Sequence, residues 1–326
     1  MYYFTHFTNS PSYYRFSALS VKLFCVFFFF LNIVFWHGSP VYSQTGFSTL
    51  STGSGETDSL YRDMLSSVQM AYSISARVRQ QINLFGQEYN ASGTYDELKT
   101  TELRGKGAVR FRLDMQVQSP GDAKDVNAGN SLTIVCDNTY NTIYRFFTVE
   151  GENRLEKIDV KRIVEAIEKQ GRTDIPTEVG SMFGLGGLAG MLLEMRNRYD
   201  FNTIPVKTPI EEKNGSVTVW KIRGRLKPEL VTALMEVTAG KKQQIPKHTP
   251  TAIDIYIGID DRFPYRFDYF WTADGSEPTG KPFAYLMFYN LILHGSNISE
   301  TVFDYRPPAN IPPEDVTDRV INQMLR

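Results

Sequence analysis

The sequence contains few cysteines and few histidines. Of its 326 residues, two are cysteine and four are histidine. Cys25 lies in an apolar N-terminal stretch, so Cys136 is the only thiol left for a folded domain, and one thiol cannot form an intramolecular disulfide. His248 and His294 are far apart and neither has the H-x-x-x-H spacing of a zinc motif. We therefore expect a domain stabilised by its core, with no metal, no cofactor and a buried, structural Cys136 rather than a reactive one.

The chain also lacks a large surplus of charge of either sign. Its formal net charge is −1. Arg15 and Lys22 are the only charged residues before Glu56, and removing these two from the 35 basic residues leaves 33 against 36 acidic ones. Without a basic block, nucleic acid is excluded as the main partner. Apolar residues make up 42% and aromatic residues 13% of the chain, which is enough for a sizeable core.

Motifs of common enzymes are also missing, so we do not expect an enzyme. No G-x-S-x-G nucleophile motif is present. The stretch Gly184-x-Gly186-x-x-Ala189 has dinucleotide-binding spacing, but the sequence of residues 176–181 before it does not predict the strand that such a site needs. The carboxylate pairs Glu211-Glu212 and Asp260-Asp261 lie beside predicted turns, where solvated side chains are the expected interpretation. A hydrolase that uses Asp260 and Asp261 is the least favoured alternative.

The N-terminus carries the strongest local signal. Lys22 precedes an apolar run over residues 23–36, and small or modest residues then occupy the two positions that a signal peptidase reads. This pattern predicts a signal peptide over residues 1–43 and a protein exported to the periplasm or cell envelope. An uncleaved membrane anchor is the alternative. Residues 44–57 are rich in Ser, Thr and Gly and predict a flexible linker before one domain over residues 58–326.

That domain is organised around the stretch from Asp58 to Phe85. Apolar residues first recur at three- and four-residue steps and predict an amphipathic helix that ends near Tyr72. From Ile74 to Leu84 they alternate with polar residues, which is typical of a strand with one solvated face. We expect an irregularity at Gln80-Gln81, where the alternation shows a slip and a bulge would fit.

Most of the remaining chain predicts antiparallel strands. After a turn at residues 90–93, strands are expected at 94–103, 107–117, 132–136, 142–149, 155–160, 199–206, 217–226, 251–259, 263–272, 282–293 and 302–305. Helices are expected at 160–170, 188–198, 228–238 and 314–325. The run from Phe283 to Leu293 is almost continuously apolar, so that strand is expected to be buried on both faces. The pattern predicts an α+β fold in which a curved, incompletely closed antiparallel β half-barrel wraps around a few helices.

Aromatic and apolar residues recur on these strands and around the glycines of the middle segment. They predict either a filled core or an apolar pocket that holds an acyl chain. The glycine-rich segment near residues 182–193 is either a mobile lid on such a pocket or a tight packing turn. The candidate ligand-binding residues on the strands and this segment are Phe111, Phe183, Leu185, Leu188, Met191, Trp220, Trp271 and Phe288.

The order of elements resembles the LolA/LolB-like superfamily of envelope lipoprotein carriers and lipid-binding proteins. An exported chain begins with an amphipathic helix, enters a strand at residues 73–78 and continues into a hairpin whose second strand begins at Gly107. The hairpin over residues 134–144 is similar to the "D-G…-W-x-Y" hairpin of the family, with Asn138 in the glycine position. Residues 303–317 are similar to its C-terminal strand and tail.

This resemblance implies a non-enzymatic protein that holds lipid or lipoprotein acyl chains in the cavity of a half-barrel. It implies a monomer, with an envelope membrane protein as a further partner. The chain is longer than a typical carrier, and the lid-contacting arginine of the family has two candidates here, Arg110 and Arg112. The alternative is a structural or sensory interaction module with the same fold and a filled interior.

Overall fold

The computed structural model describes residues 55–84, 86–100, 108–118, 130–137, 142–149, 151–170, 187–212, 215–237, 245, 249–295 and 298–324. The predicted signal peptide and most of the predicted linker lie outside these residues, as do Phe183 and Leu185. The first helix begins at Gly55, so the last three residues of the predicted linker form its first turn.

The described residues form five α-helices and one 3-10 helix. The 3-10 helix spans Glu300–Phe303. The α-helices are α1 Gly55–Met70, α2 Val160–Glu168, α3 Gly187–Arg198, α4 Pro228–Val237 and α5 Thr317–Met324. Within the described ranges, no helix has the length and apolar character needed to span a membrane.

Thirteen strands of the described chain form one sheet that does not close into a barrel. The spatial order is β13-β6-β5-β4-β3-β2-β1-β12-β11-β10-β9-β7, and β8 also pairs with β9. All pairs are antiparallel except β13 with β6. The strands are β1 Ser73–Leu84, β2 Gln87–Thr100, β3 Ala108–Gln118, β4 Asn130–Asp137, β5 Thr142–Val149, β6 Glu152–Asp159, β7 Tyr199–Asp200, β8 Val206–Glu212, β9 Gly215–Leu226, β10 Ala252–Gly258, β11 Pro264–Phe270, β12 Ala284–Leu293 and β13 Glu314–Asp315.

The alternation of the sequence sets the two faces of this sheet. In β3, the odd-numbered residues from Val109 to Val117 are buried and apolar. Cross-strand partners share a face, so the pairing of Phe111 with Cys136 carries the same face into β4. We call this the inner face, because the helices pack on it. Cys136 is fully buried there, as predicted.

Helix α1 buries a row of large side chains in the core. Tyr61, Met64 and Val68 are fully buried in the same apolar cluster as the inward residues of β1. The Tyr61 hydroxyl donates a hydrogen bond of 2.6 Å to the carbonyl of Leu192 in α3. Arg196 of α3 forms an ion pair of 3.1 Å with Asp58. These contacts join α1 and α3 into one layer over the sheet.

Two expectations for the first strands were wrong. The β1–β2 register runs without a break through Gln80 and Gln81, and Gln80 lies buried on the inner face in phase with its apolar neighbours. The register shift lies instead between Ser75 and Arg77, on the side of β12. The predicted turn at residues 90–93 is part of β2, because its polar and small residues pair continuously with both neighbouring strands.

Three later expectations also differ from the structure. Between residues 199 and 206, only Tyr199–Asp200 is a strand before β8 begins. No strand forms at 302–305, because residues 302–303 end the 3-10 helix that Ser299 caps and residues 304–305 have no regular structure. The predicted closing helix begins later, since Glu314–Asp315 pairs with β6 before Thr317 opens α5.

Strand β12 is buried on both faces only in its first half. Residues 284–288 are buried or half-buried, whereas Asn290 is exposed with a φ of +50°. Ile292 is 58% exposed. The irregularity opposite Ser75 and Arg77 therefore turns the second half of the strand toward solvent.

Candidate functional site

The candidate site is the part of the inner face formed by β2, β3, β11 and β12, and the start of α3 contacts it at β2 and β3. Its centre is a group of aromatic rings around Phe288. The Phe288 centroid lies 5.8 Å from that of Tyr95, 6.1 Å from Phe263 and 6.3 Å from Phe267, all close to edge-on. Tyr95 also stacks on Phe111 at 6.2 Å. These distances lie in the range of favourable aromatic pairs, so the rings form one apolar platform.

Helix α3 covers part of this inner face. Leu188, Leu192 and Met195 are buried in the cluster that also contains the platform, and Met191 is half-buried against it. The first turns of the helix are Gly-Leu-Ala-Gly, a composition with weak helix propensity at its two glycines. Gly187 has a φ of +57°, and a Cβ there would meet the Glu97 carboxylate at 2.2 Å. The helix can therefore start this close to the sheet only because its first residue has no side chain.

A fully buried carboxylate holds the N-terminus of α3. Glu97 is 0% exposed, and its Oε2 accepts a 2.8 Å hydrogen bond from the backbone N–H of Leu188. The Tyr95 hydroxyl donates a second bond of 2.5 Å to the same oxygen. Oε1 faces the ammonium of Lys99 at 3.8 Å and accepts no hydrogen bond from the described residues. A carboxylate is favourable at this position, since the N-terminus of a helix carries partial positive charge.

Lys99 connects the same cluster to α1. Its ammonium donates to the carbonyl of Val68 and, at 2.9 Å, to that of Gln69, in the last turn of α1. A cation is favourable at the C-terminus of a helix. Three alternate residues of β2, Tyr95, Glu97 and Lys99, therefore attach one helix by its N-terminus and the other by its C-terminus.

Burial dominates the ionisation of this cluster. It raises the pKa of Glu97, against the opposing effects of Tyr95, Leu188 and Lys99. Burial also lowers the pKa of Lys99, against the attraction of Glu97. The pKa of Tyr95 lies well above its usual range because of burial and the neighbouring Glu97. The tyrosine therefore stays protonated and remains a hydrogen-bond donor.

The structure brings together part of the predicted ligand-binding set. Phe111, Phe288 and Leu188 meet around Tyr95 and Glu97. Trp220 and Trp271 are half-buried and pack against the same core, but Trp220 lies on β9 and Trp271 follows β11, farther along the sheet. The indole N–H of Trp271 is buried without an acceptor among the described residues.

The two candidate lid-contacting arginines lie on the outer face of β3. Arg110 is 6% exposed and pairs with Asp304 at 3.1 Å, with its guanidinium over the Phe303 ring. Arg112 donates a 3.1 Å hydrogen bond to the carbonyl of Val302. Both therefore contact the C-terminal segment that crosses the outer face. Their contact with the glycine-rich segment stays a prediction, because residues 171–186 lie outside the described part of the chain.

The described residues show a structural role for one member of the candidate acidic pair. The Asp261 carboxylate accepts from the Phe263 backbone N–H at 2.9 Å and from the Tyr265 hydroxyl at 2.6 Å. Both contacts stabilise the turn before β11. Among the described residues, no group of three or more His, Cys, Asp or Glu side chains is placed to hold a metal ion.

Sequence reasoning missed the cluster of Tyr95, Glu97 and Lys99. These residues lie at alternate positions of a predicted strand and so share one face. The alternation indicates that the three side chains lie together, but the polarity of Glu97 and Lys99 indicates a solvated face. Burial of Glu97 follows from the approach of α3, ninety residues farther along the chain, which a local pattern does not contain.

Comparisons with known proteins give likeness in structure alone. No protein-family model matches the chain, and no curated protein matches it. Among solved structures, it is similar to LprF from Mycobacterium bovis, with 11% identity, coverage of 76% of this chain and 97% of that one, and a TM-score of 0.36. A putative outer membrane lipoprotein-sorting protein domain from Vibrio parahaemolyticus is 9% identical, with the same coverages and a TM-score of 0.30.

A third similar structure is MucB in complex with MucA(peri). It is 11% identical, and the match covers 78% of this chain with a TM-score of 0.34. The chain spans 60% of the length of that MucB chain. One of these similar structures is thus a putative outer membrane lipoprotein-sorting protein domain. All three TM-scores are below 0.5, so the function proposed below rests on the geometry of the inner face.

Proposed function

We propose that this protein is an exported, non-enzymatic carrier that binds lipid or lipoprotein acyl chains between the inner face and α3. The observation that carries the proposal is the position of α3. Its first residues lie beside Tyr95 at one side of the aromatic platform in an open sheet, its first turn contains glycine, and one carboxylate fixes that end. An acyl chain that enters between α3 and the platform gains about 0.8 kcal/mol per buried CH₂.

The packing of the described interior sets a condition on this function. Tyr61 of α1 and Leu188 and Leu192 of α3 are buried in the core, so side chains of both helices fill the described inner face. Binding therefore requires displacement of α3, and the observed affinity is reduced by the cost of that displacement. In this proposal Phe183 and Leu185, which lie outside the described residues, belong to the lid that the sequence predicts.

The test is titration of the full chain with a fluorescent fatty acid. Glu97→Ala removes the acceptor that holds Leu188 and so lowers the cost of moving α3. If that cost falls by about 2 kcal/mol, the probe binds about 30-fold more tightly than it binds the wild type. Glu97→Gln retains an acceptor and is expected to give a smaller change. The exposed variant Ile292→Ala is the control and leaves probe affinity unchanged.

Two results would count against the proposal. One is absence of probe binding in all four proteins. The other is weaker binding in Glu97→Ala with an intact fold, because α3 would then be needed in place for any binding to occur.

The filled interior also favours a second candidate, an interaction module of the cell envelope. In that case the aromatic platform is core and a protein partner binds elsewhere on the surface. The same titration separates the two candidates, since a module of this kind rejects the probe whatever residue occupies position 97.

A further inference from the structure

The outer face of β1, β12, β11, β10 and β9 carries a surplus of positive charge that the proposed carrier function does not use. Cross-strand pairing places the basic residues of this face on one side of the sheet, opposite the helices. The basic residues are Arg77, Arg79, Lys221, Arg223, Arg225 and Arg266. We call this surface the basic face.

Three carboxylates neutralise only half of these six cations. Asp254, 1% exposed, forms a bidentate pair with Arg223 at 2.5 and 2.7 Å. Asp268 accepts from Arg266 at 2.6 Å. Glu277 contacts both Arg223 and Arg225. Three positive charges therefore remain on this face of a chain whose formal net charge is −1.

Arg77 and Arg79 contribute most directly to that surplus. Both are exposed, and no carboxylate among the described residues pairs with either of them. Arg79 lies over the ring of Tyr289 at 5.6 Å, which holds its guanidinium against the sheet without neutralising it. Both are therefore available to an anionic partner.

Tyrosines alternate with the cations across the face. Arg266 stacks between Tyr256 at 5.6 Å and Tyr285 at 4.5 Å, and both rings are half-buried. Tyrosine, with an apolar ring and a polar hydroxyl, is enriched at the level of lipid headgroups. At the margin, the exposed aliphatic side chain of Val206 shares the face with its partner Lys221. Exposed apolar groups beside cations are typical of surfaces that lie in a membrane interface.

We propose that the basic face docks on the surface of a membrane that contains anionic phospholipids. The cations lie on β1, β11 and β9, three strands spread across a face five strands wide, an arrangement that matches many phosphates on a plane better than one phosphate in a pocket. The alternating tyrosines and the aliphatic margin favour a lipid surface over an acidic protein. Docking would suit a carrier that exchanges acyl chains with a membrane, but it depends on different residues, so acyl binding and docking can fail separately.

The test is co-sedimentation of the full chain with vesicles of phosphatidylcholine alone or mixed with phosphatidylglycerol. One cation near an anionic surface strengthens binding about five-fold, so Arg77→Gln with Arg79→Gln weakens binding to the anionic vesicles about 30-fold. Replacing both arginines by lysine keeps the charge and retains binding. The matched control is Arg62→Gln with Lys161→Gln, which removes the same charge from exposed positions on helices of the inner face.

The results expected for membrane docking differ from those expected without it. Preference for anionic vesicles, suppressed by about 1 M salt and lost only in the Arg77/Arg79 glutamine variant, supports docking. Equal binding to both kinds of vesicle, or an equal loss in the control, overturns it. Absence of vesicle binding together with capture of polyglutamate through Arg77 and Arg79 also overturns it and assigns the face to an acidic protein.

Discussion

Replacement of Glu97 tests the attachment of α3 most sharply. In Glu97→Ala, the Tyr95 hydroxyl and the Leu188 N–H lose the oxygen that both use. A buried donor without an acceptor costs about 1–3 kcal/mol, so two donors cost about 2–6 kcal/mol. Relief of the burial of the Glu97 carboxyl group offsets part of this cost, and we expect a net loss of about 2–4 kcal/mol in the free energy of unfolding.

The matched variant is Glu97→Gln. Its side-chain oxygen can take the position of Oε2 and accept both hydrogen bonds, so we expect a loss of about 1 kcal/mol or less. The assay is urea unfolding at neutral pH, followed by circular dichroism and tryptophan fluorescence. Equal losses in the two variants, or no loss in either, would refute the assignment of Glu97 as the acceptor that holds α3.

The stability difference between the wild type and Glu97→Gln should depend on pH in a direction that follows from the pKa of Glu97. Burial raises the pKa of Glu97 above its ordinary value of 4.5, so the folded protein binds a proton more readily than the unfolded chain. Stability falls with rising pH wherever the folded state binds more protons. The wild type should therefore lose stability relative to Glu97→Gln as pH rises from about 4.5 through the raised pKa. A difference that does not vary with pH over this window would contradict the buried, ionisable state of Glu97.

Three further predictions concern the core and the sheet. Phe288→Ala should lower the free energy of unfolding by about 3–5 kcal/mol, because the ring is buried. Ile292→Ala, on the exposed half of the same strand, should change it by about 0.5 kcal/mol or less. Equal effects in urea unfolding would contradict the burial of Phe288 in the aromatic platform. Cys136→Ser should lower the free energy of unfolding by about 1–3 kcal/mol, because it places a hydroxyl in a buried position. A thiol reagent should label Cys136 only in unfolded protein, and rapid labelling of the native protein would contradict its burial. Gly93→Ala should lower the free energy of unfolding by about 1–3 kcal/mol, because a Cβ there would lie 1.7 Å from the carbonyl oxygen of Asp114. Gly55→Ala is the control and should be nearly neutral in thermal or urea unfolding, because a Cβ at Gly55 meets no atom within 4 Å.

Hydrophobic periodicity predicted most of the sheet. The alternation from Val109 to Val117 marks β3 correctly, and the helix-to-strand change near Tyr72 marks the end of α1. These signals are local, since each records which side of its own element meets the core. The same two-residue period places Gln80 on the inner face. A polar residue at an inward position resembles a slip in the pattern, although the strand continues without one.

Other features depend on contacts that sequence patterns do not contain. Residues 90–93 have turn composition, yet Gly93 lies within a strand because β3 approaches closely there. The polarity of Glu97 is typical of a solvated strand residue, although the approach of α3 leaves it completely buried. Arg110 pairs with a C-terminal segment nearly two hundred residues away, which no local pattern around Arg110 contains. In each case the deciding neighbour is distant in the sequence.

The central claim is that the inner face holds acyl chains when α3 moves. The most direct measurement is native mass spectrometry of the protein purified from its own cell envelope, followed by lipid extraction and identification. The account predicts a population that carries a bound acyl species, which is released when the protein unfolds. A protein that is empty in this measurement and also rejects fatty-acid probes would contradict the claim and favour an interaction module with a filled interior.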